Sequence, residues 1–437
     1  MARRLYQLLS SAAALVVFAA SAPLHAQEFV KFSDFVQSVR TADAATVLTL
    51  PSTKATDTAS VGEMRQHLLA LYDGVKVTQS YVVGSQTIDC IPIMQQPAVR
   101  MLGLTSIAEP PSAPATAPGQ GSQAAVLPSQ LPAGKTQDAF GNRLGCQGDT
   151  VPMLRVTLEQ MAHFKTLRDF FKKGPNGAGQ AKDPSVPPAT AAHKYVYYYQ
   201  SVNNNGDEAD INLWRPYVYT DIGEMFSLAQ SWTIGGSGSA TQTAEVGWQN
   251  YPASYGTENS VPFIYYTADD YNLTGCYNLT CGAFVQVSGA LTLGAAFSAS
   301  SYSVPNNSTQ HYLPFQYKFA NGNWYLFYGG TEIGYYPGSV YNGGQLTQYS
   351  TLLEFGSESV GTTVWPAEGS GMFGAAYKYD EAAWQRNLFY INTSNVSVWD
   401  SLTYDKPSPK CYSGSKPAYS SSWGIYFYFG GPGGTGC

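Results

Sequence analysis

Carboxylates are the residues of this chain best placed to do chemistry together. Glu245 sits in Thr243-Ala-Glu-Val-Gly-Trp-Gln249, and Glu354 and Glu358 sit in Leu352-Leu-Glu-Phe-Gly-Ser-Glu-Ser359. Glu332, in Gly329-Gly-Thr-Glu-Ile-Gly-Tyr-Tyr-Pro337, is a further candidate. Two carboxyl groups divide labour when their surroundings drive their pKa values apart: one stays ionised as a base, the other keeps its proton to donate it or to hold an oxyanion. In an alternating strand Glu245, Gly247 and Gln249 share one face, and Ala244, Val246 and Trp248 share the other. The apolar set predicts a core-facing side, which leaves Glu245 facing solvent or a cleft beside a glycine that gives a ligand room. Glu354 and Glu358 have the same parity, so a regular strand puts both on one face; a bulge at Gly356 would separate them. Spacing alone does not choose the partner of Glu245.

Other chemistries lack their parts. From His193 onward there are two histidines, His193 at a linker edge and His311 after a polar loop, and a Ser-His-Asp or Cys-His arrangement needs one of them positioned by a carboxylate. There is no GxSxG elbow and no HExxH; Gly235-Gly-Ser-Gly238 reads as a turn, and no glycine-rich loop has the context for nucleotide binding. Six cysteines in an exported chain suggest three disulfides, for which fifteen pairings are open. Their distribution favours Cys90 with Cys146, Cys276 with Cys281, and Cys411 with Cys437. None has zinc-type spacing with histidines, so no metal and no cofactor is expected.

The elements that must position these groups follow from composition and punctuation. Charged residues are 12% of 437, while Tyr (32) and Gly (43) are abundant, a folded β-type composition. Met1 to Ala26 predicts a secretory signal: Arg3 and Arg4, a short apolar run, then Leu24-His25-Ala26. The expected location is therefore extracellular, or periplasmic in a Gram-negative host, with no membrane span. Residues 27–172 mix short helical and strand patterns, including helices over Val61–Val75 and Thr157–Lys172 and a strand over Thr87–Met94. A Pro/Ala/Ser/Gln-rich stretch, 106–137, is expected to be a flexible excursion. Residues 173–192 read as a cleavable linker. From 193 to 437 many β-branched and aromatic runs alternate with Gly, Asn and Pro turns, which predicts an all-β antiparallel sandwich; Glu381–Asn387 reads as a helical turn. This region carries 17 Asp and Glu against 8 Lys and Arg, which argues against a nucleic-acid partner.

An ordered set of motifs resembles the neprosin family of secreted glutamic peptidases. It comprises Glu245-Val-Gly-Trp-Gln249, Tyr265-Tyr-Thr-Ala-Asp-Asp-Tyr271, Thr274-Gly-Cys-Tyr-Asn-Leu-Thr-Cys281, Gly334-Tyr-Tyr-Pro337, Phe355-Gly-Ser-Glu358, Glu368-Gly-Ser-Gly371 and Tyr426-Phe-Tyr-Phe-Gly-Gly-Pro-Gly433. Ile88 to Pro97 and Cys146 to Pro152 look like parts of that family's activation propeptide. The resemblance implies a zymogen: signal 1–26, a small α+β prodomain 27–172 acting as intramolecular inhibitor, linker 173–192, and a jelly-roll or lectin-like β-sandwich peptidase domain 193–437. It implies Glu245 and Glu358 as the catalytic pair, with Glu354 in reserve, and polypeptides cleaved in acid, with a preference for proline. Phe355 and Ser357 depart from the family's Trp-Gly-Gly-Glu, Tyr336 from its Trp, and Asp270 from its Gly. Trp248, Gln249, Tyr265 and Trp324 are candidates to line the cleft, and the expected state is a monomer. Rival readings of the same residues are a carbohydrate- or wall-binding sandwich without catalysis, and a two-carboxylate glycosidase.

Overall fold

The computed structural model describes residues 29–111, 113–119, 125–173, 192–376, 378–405 and 410–437. The signal read at Met1–Ala26 and the linker between 174 and 191 lie outside them. The three disulfides pair as the cysteine distribution suggested.

The front region is α+β. Helices α1 (Phe32–Thr41), α2 (Ala44–Leu48) and α3 (Thr58–Tyr72) pack on a sheet of β1 (Gln79–Val83), β2 (Gln86–Pro92) and β3 (Thr150–Leu154), and α4 (Pro97–Met101) follows β2. Asp57 caps α3 by accepting from the Ser60 N–H, and Met64, Leu68 and Leu71 bury its apolar face. The stretch expected to be one helix over Thr157–Lys172 is two: α5 (Leu158–Ala162) and α6 (Leu167–Phe171). The Thr157/Gln160 capping box forms, but the Ala162 carbonyl accepts from the N–H groups of Lys54 and Ala55 instead of continuing the helix. Thr166 then caps a fresh start. That break turns the end of α6 toward the β domain.

Described residues of the excursion expected to be flexible are held against the β domain. Gln316 exchanges two hydrogen bonds with the backbone of Ala115, Tyr325 donates to the Glu109 carbonyl, and Tyr335 accepts from the Ala108 N–H. Three glutamines of the front region make further clamps: Gln86, Gln96 and Gln130 each donate to and accept from backbone groups of the β domain.

The β domain is one antiparallel sheet folded onto itself. Its strands include β4 (Ala192–Asn212), β5 (Glu224–Gly235), β6 (Gln242–Asn250), β7 (Val261–Thr267), β8 (Cys276–Tyr277), β9 (Val285–Gln286), β10 (Tyr312–Ala320), β11 (Asn323–Tyr328), β12 (Thr331–Pro337) and β13 (Ser350–Gly361), in the order β8-β7-β6-β5-β13-β4-β10-β11-β12-β9. The long β4 makes the fold. Its first half pairs with β13 and its second half with β10, so one strand belongs to both layers. Val196, Tyr198, Val246, Trp248, Tyr317 and Trp324 fill the space between the layers. After the short β14 (Val364–Trp365), the segment expected as a helical turn at Glu381–Asn387 runs into strand β15 (Ala383–Asn392), which pairs with the second half of β4. Cross-strand pairing buries Trp384, Leu388 and Phe389, a reward that an isolated turn does not offer.

The layers also bury carboxylates. Asp207 accepts from Ser231 and Thr233, yet burial pushes it up to about 6. Burial pushes Glu368 up to about 8 against the hydrogen bonds of Ser357 and Ser359. Burial and the nearby Asp207 raise Asp400 as well. A carboxyl group whose folded pKa lies above its unfolded value contributes full stability below ~4 and loses it as pH rises through the folded value. The β domain should therefore melt highest near pH 4 and progressively lower between pH 5 and 8. Glu368→Gln mimics the protonated acid and should raise the melting temperature at pH 7.5 by several degrees while leaving it unchanged at pH 4. Calorimetry at the two pH values checks this, and an equal shift at both would refute the account.

Candidate active site

Register across four strands assembles the site. Glu245 on β6 stands opposite Trp232 on β5, Trp232 opposite Glu354 on β13, and Glu354 opposite Tyr199 on β4. The next row on the same face is Gly247, Gln230, Gly356 and Tyr197, and the row after it is Gln249, Leu228, Glu358 and Tyr195. No register shift occurs at Gly356, so Glu354 and Glu358 do share a face. The two glycines leave β6 and β13 bare in the middle row, which carries only the side chains of Gln230 and Tyr197. They also let the strands approach: a Cβ at Gly247 would lie 2.0 Å from the Ala229 carbonyl, and one at Gly356 2.0 Å from that of Val196.

Over that middle row lies Lys173, the residue that the sequence reading placed first in the linker. It is fully buried. Its Nζ donates to Oε2 of Glu245 at 2.6 Å and stands 2.9 Å from Oε2 of Glu358. The ammonium also lies 5.1 Å from the centre of the Trp232 ring. One cation thus joins two strands through the carboxylates the motifs pointed to. Glu354, one row away beside Trp232, lines a neighbouring cavity of about 340 Å³ with Tyr195, Tyr197, Trp232 and Tyr271.

The two glutamates have different partners. Oε1 of Glu245 accepts from the hydroxyls of Thr243 (2.8 Å) and Tyr271 (2.7 Å), and Oε2 accepts from Gln230 Nε2 at 3.1 Å. Asp270 and Tyr271 both take left-handed backbone, φ 56 and 61, in the turn that delivers the Tyr271 hydroxyl. Oε1 of Glu358 meets Nδ1 of His193 at 2.5 Å. Burial alone would raise Glu358, but the charge of Lys173 and the hydrogen bond and charge of His193 outweigh it and hold the carboxyl below its ordinary value. Burial would lower Lys173, but the charges of Glu245 and Glu358 keep it above its ordinary value.

Of the residues expected along the cleft, Tyr265 and Gln249 lie on the Glu245 face. Tyr265 pairs with Glu245 across β6 and β7, and Gln249 is bonded to the hydroxyls of Tyr255 and Tyr277. Trp248 and Trp324 do not line it. They are buried between the layers, their indole N–H groups donating to the carbonyls of Asn212 and Leu346. The walls are instead Trp232, Tyr195, Tyr197 and Tyr271. Glu332 stands on β12, away from the pair. The sequence reading missed Lys173 and His193, which flank the linker and whose partners lie 72 and 165 residues away.

Residues 223–432 match the family model described as Neprosin. Among solved structures, the chain is similar to a crystal structure of Scytalido-glutamic peptidase with a peptide-based transition state analog. Identity is 10%, coverage is 55% of this chain and 97% of that one, and the TM-score is 0.28.

Proposed function

The chain belongs to the neprosin family through residues 223–432, and on that premise we propose that it is an exported zymogen of an acid-active glutamic endopeptidase. The observation that carries this reading is the convergence of Glu245 and Glu358 on one buried ammonium. Two carboxylates that both reach a single Nζ are close enough to hold one water and one carbonyl oxygen between them.

With Lys173 withdrawn, two buried like charges face each other, and one of them takes a proton. The ionised carboxylate removes a proton from water as the water oxygen bonds to the scissile carbonyl carbon. The protonated one hydrogen-bonds the carbonyl oxygen and supports the charge that develops there. The flat walls of Trp232, Tyr195 and Tyr197 suit an extended peptide and offer stacking surfaces for a proline ring. Lys173 occupies the position of the reacting groups, which makes the prodomain the intramolecular inhibitor and removal of the 174–191 connection the activating event.

The test is incubation of the purified full chain in acid with a denatured proline-rich protein, with products mapped by mass spectrometry. Loss of the prodomain followed by cleavage, with proline at or beside the cut, supports the proposal. Prodomain-free, folded protein that cuts nothing between pH 2 and 6 would overturn it in favour of a binding sandwich.

A further inference from the structure

Both ends of the linker converge on Glu358. Lys173 stands at Oε2 from the prodomain side, and His193 meets Oε1 from the β-domain side. Removing the prodomain takes Lys173 away. His193 is the second residue of β4, in register with Val360 of β13, and stays with the β domain. Its ring is buried, lies parallel to Tyr195 at 6.1 Å and meets Phe226 edge-on at 6.2 Å, so its orientation is fixed by packing. Nε2 has no hydrogen-bond partner among the described residues, so the ring's one polar contact is the one to Glu358. Other groups facing Glu358 are Tyr195 on β4, Glu245 on β6, Glu368 from behind β13, and Tyr271.

Glu245 keeps only neutral partners when Lys173 leaves: Thr243, Tyr271 and Gln230. One of them can adapt. Oε1 of Gln230 is buried without a partner among the described residues, so an amide flip would let it accept a proton carried on Glu245. Glu358 differs in having the His193 imidazole, whose N–H donates to Oε1, beside the Tyr195 hydroxyl.

We propose that His193 is a positioning residue that holds Glu358 as the ionised member of the pair in the activated enzyme, which leaves the proton on Glu245. This rests on the peptidase reading above. Glu358 takes one proton from water as the C–O bond forms, and Glu245 gives its proton to the carbonyl oxygen. When the C–N bond breaks, Glu358 passes its proton to the leaving amine. Glu245 recovers one from a hydroxyl of the tetrahedral carbon, and both glutamates return to their starting states.

The experiment compares His193→Leu and His193→Asn, the latter retaining an N–H donor close to the place of Nδ1. In the full chain carrying Lys173→Met, so that Lys173 no longer masks the pair, side-chain carboxyl ¹³C shifts follow each glutamate through its titration. His193→Leu should raise the titration of Glu358 by ~1 unit or more, and His193→Asn should recover most of that shift. In acid-activated protein with Lys173 intact, His193→Leu should lower kcat ~100-fold with KM within about threefold, and should move the acidic limb of the pH–kcat profile upward. A folded Leu variant with the wild-type Glu358 titration and an unmoved acidic limb would overturn the proposal. A shift seen on Glu245 instead would overturn the division of roles. If the wild type cleaves nothing, the peptidase reading fails by itself, and the carboxyl titration still decides what His193 does.

Discussion

Glu245→Gln and Glu358→Gln should each reduce turnover of a peptide substrate by at least ~10³-fold, with little change in KM. Glutamine keeps the shape and one acceptor of each side chain, so the rows of Gly247, Gln230 and Gly356 can still receive a substrate. What is lost is a group that can change its proton. The double variant should be no worse than the poorer single one, because the two carboxylates act as a unit and removing either stops the same step. Glu354→Gln is the contrast. It lies in the row of Glu245 with Trp232 between them, and should change turnover by no more than ~10-fold, chiefly through KM, because it lines the cavity where an extended substrate would lie. Initial rates on a fluorogenic peptide, with protein checked for an unchanged melting transition, measure all four. A Glu354→Gln loss as large as that of Glu358→Gln would mean that the partner of Glu245 is misassigned.

The parts of this site legible in the sequence are those that obey strand parity. Alternation placed Glu245 opposite in face to Trp248, and that relation persists in β6 because a one-residue slip would turn Val246 and Trp248 out of the core. The same rule already told against Trp248 as a cleft wall, and the fold adds that Trp324 serves the interior too. The motif at 352–359 brought Glu358 to the right strand, but only register with β5 and β6 puts it two rows from Glu245, with a glycine-flanked space between. Register is a long-range property that no local pattern carries. Lys173 was illegible for a different reason. It opens a Gly/Pro stretch, and a lone lysine there reads as solvated; only a buried pair of carboxylates makes its burial tolerable. His193 lies at the other edge of the same stretch, and its partner is identified by strand pairing alone. The two missed residues are thus the two whose meaning depends on where a linker begins and ends in space.

Lys173→Met should reverse the pH dependence of prodomain retention. The other described polar contacts between prodomain and β domain include the amide clamps of Gln86, Gln96 and Gln130, none of which titrates between pH 3 and 7, and Arg168, His67 and His163, which donate to backbone carbonyls and can do so as charged groups too. Among the described residues, Lys173 makes the ion pairs that cross between the two parts. Glu358 is held below its ordinary pKa in the closed form. Its contribution to closure is therefore present above the ordinary carboxylate range of ~4 and is lost as pH falls through the lowered value. In acid the wild type is left with a buried ammonium facing neutral carboxyl groups, an arrangement that costs several kcal/mol, and the prodomain should leave. Methionine keeps the length and apolar stem but not the charge. Closure of the variant is then weak at neutral pH, where two buried carboxylates confront each other, and tightens in acid, where protonation removes their repulsion and no cation is stranded. With a specific protease site inserted between 174 and 191 and cut, gel filtration from pH 3 to 7 reads retention directly. The wild type should hold its prodomain at pH 7 and shed it by pH 3, and Lys173→Met should do the opposite, with retention at pH 7 reduced ~10-fold or more. Shedding of both proteins at the same acid pH would place the switch elsewhere in the interface and remove Lys173 from it.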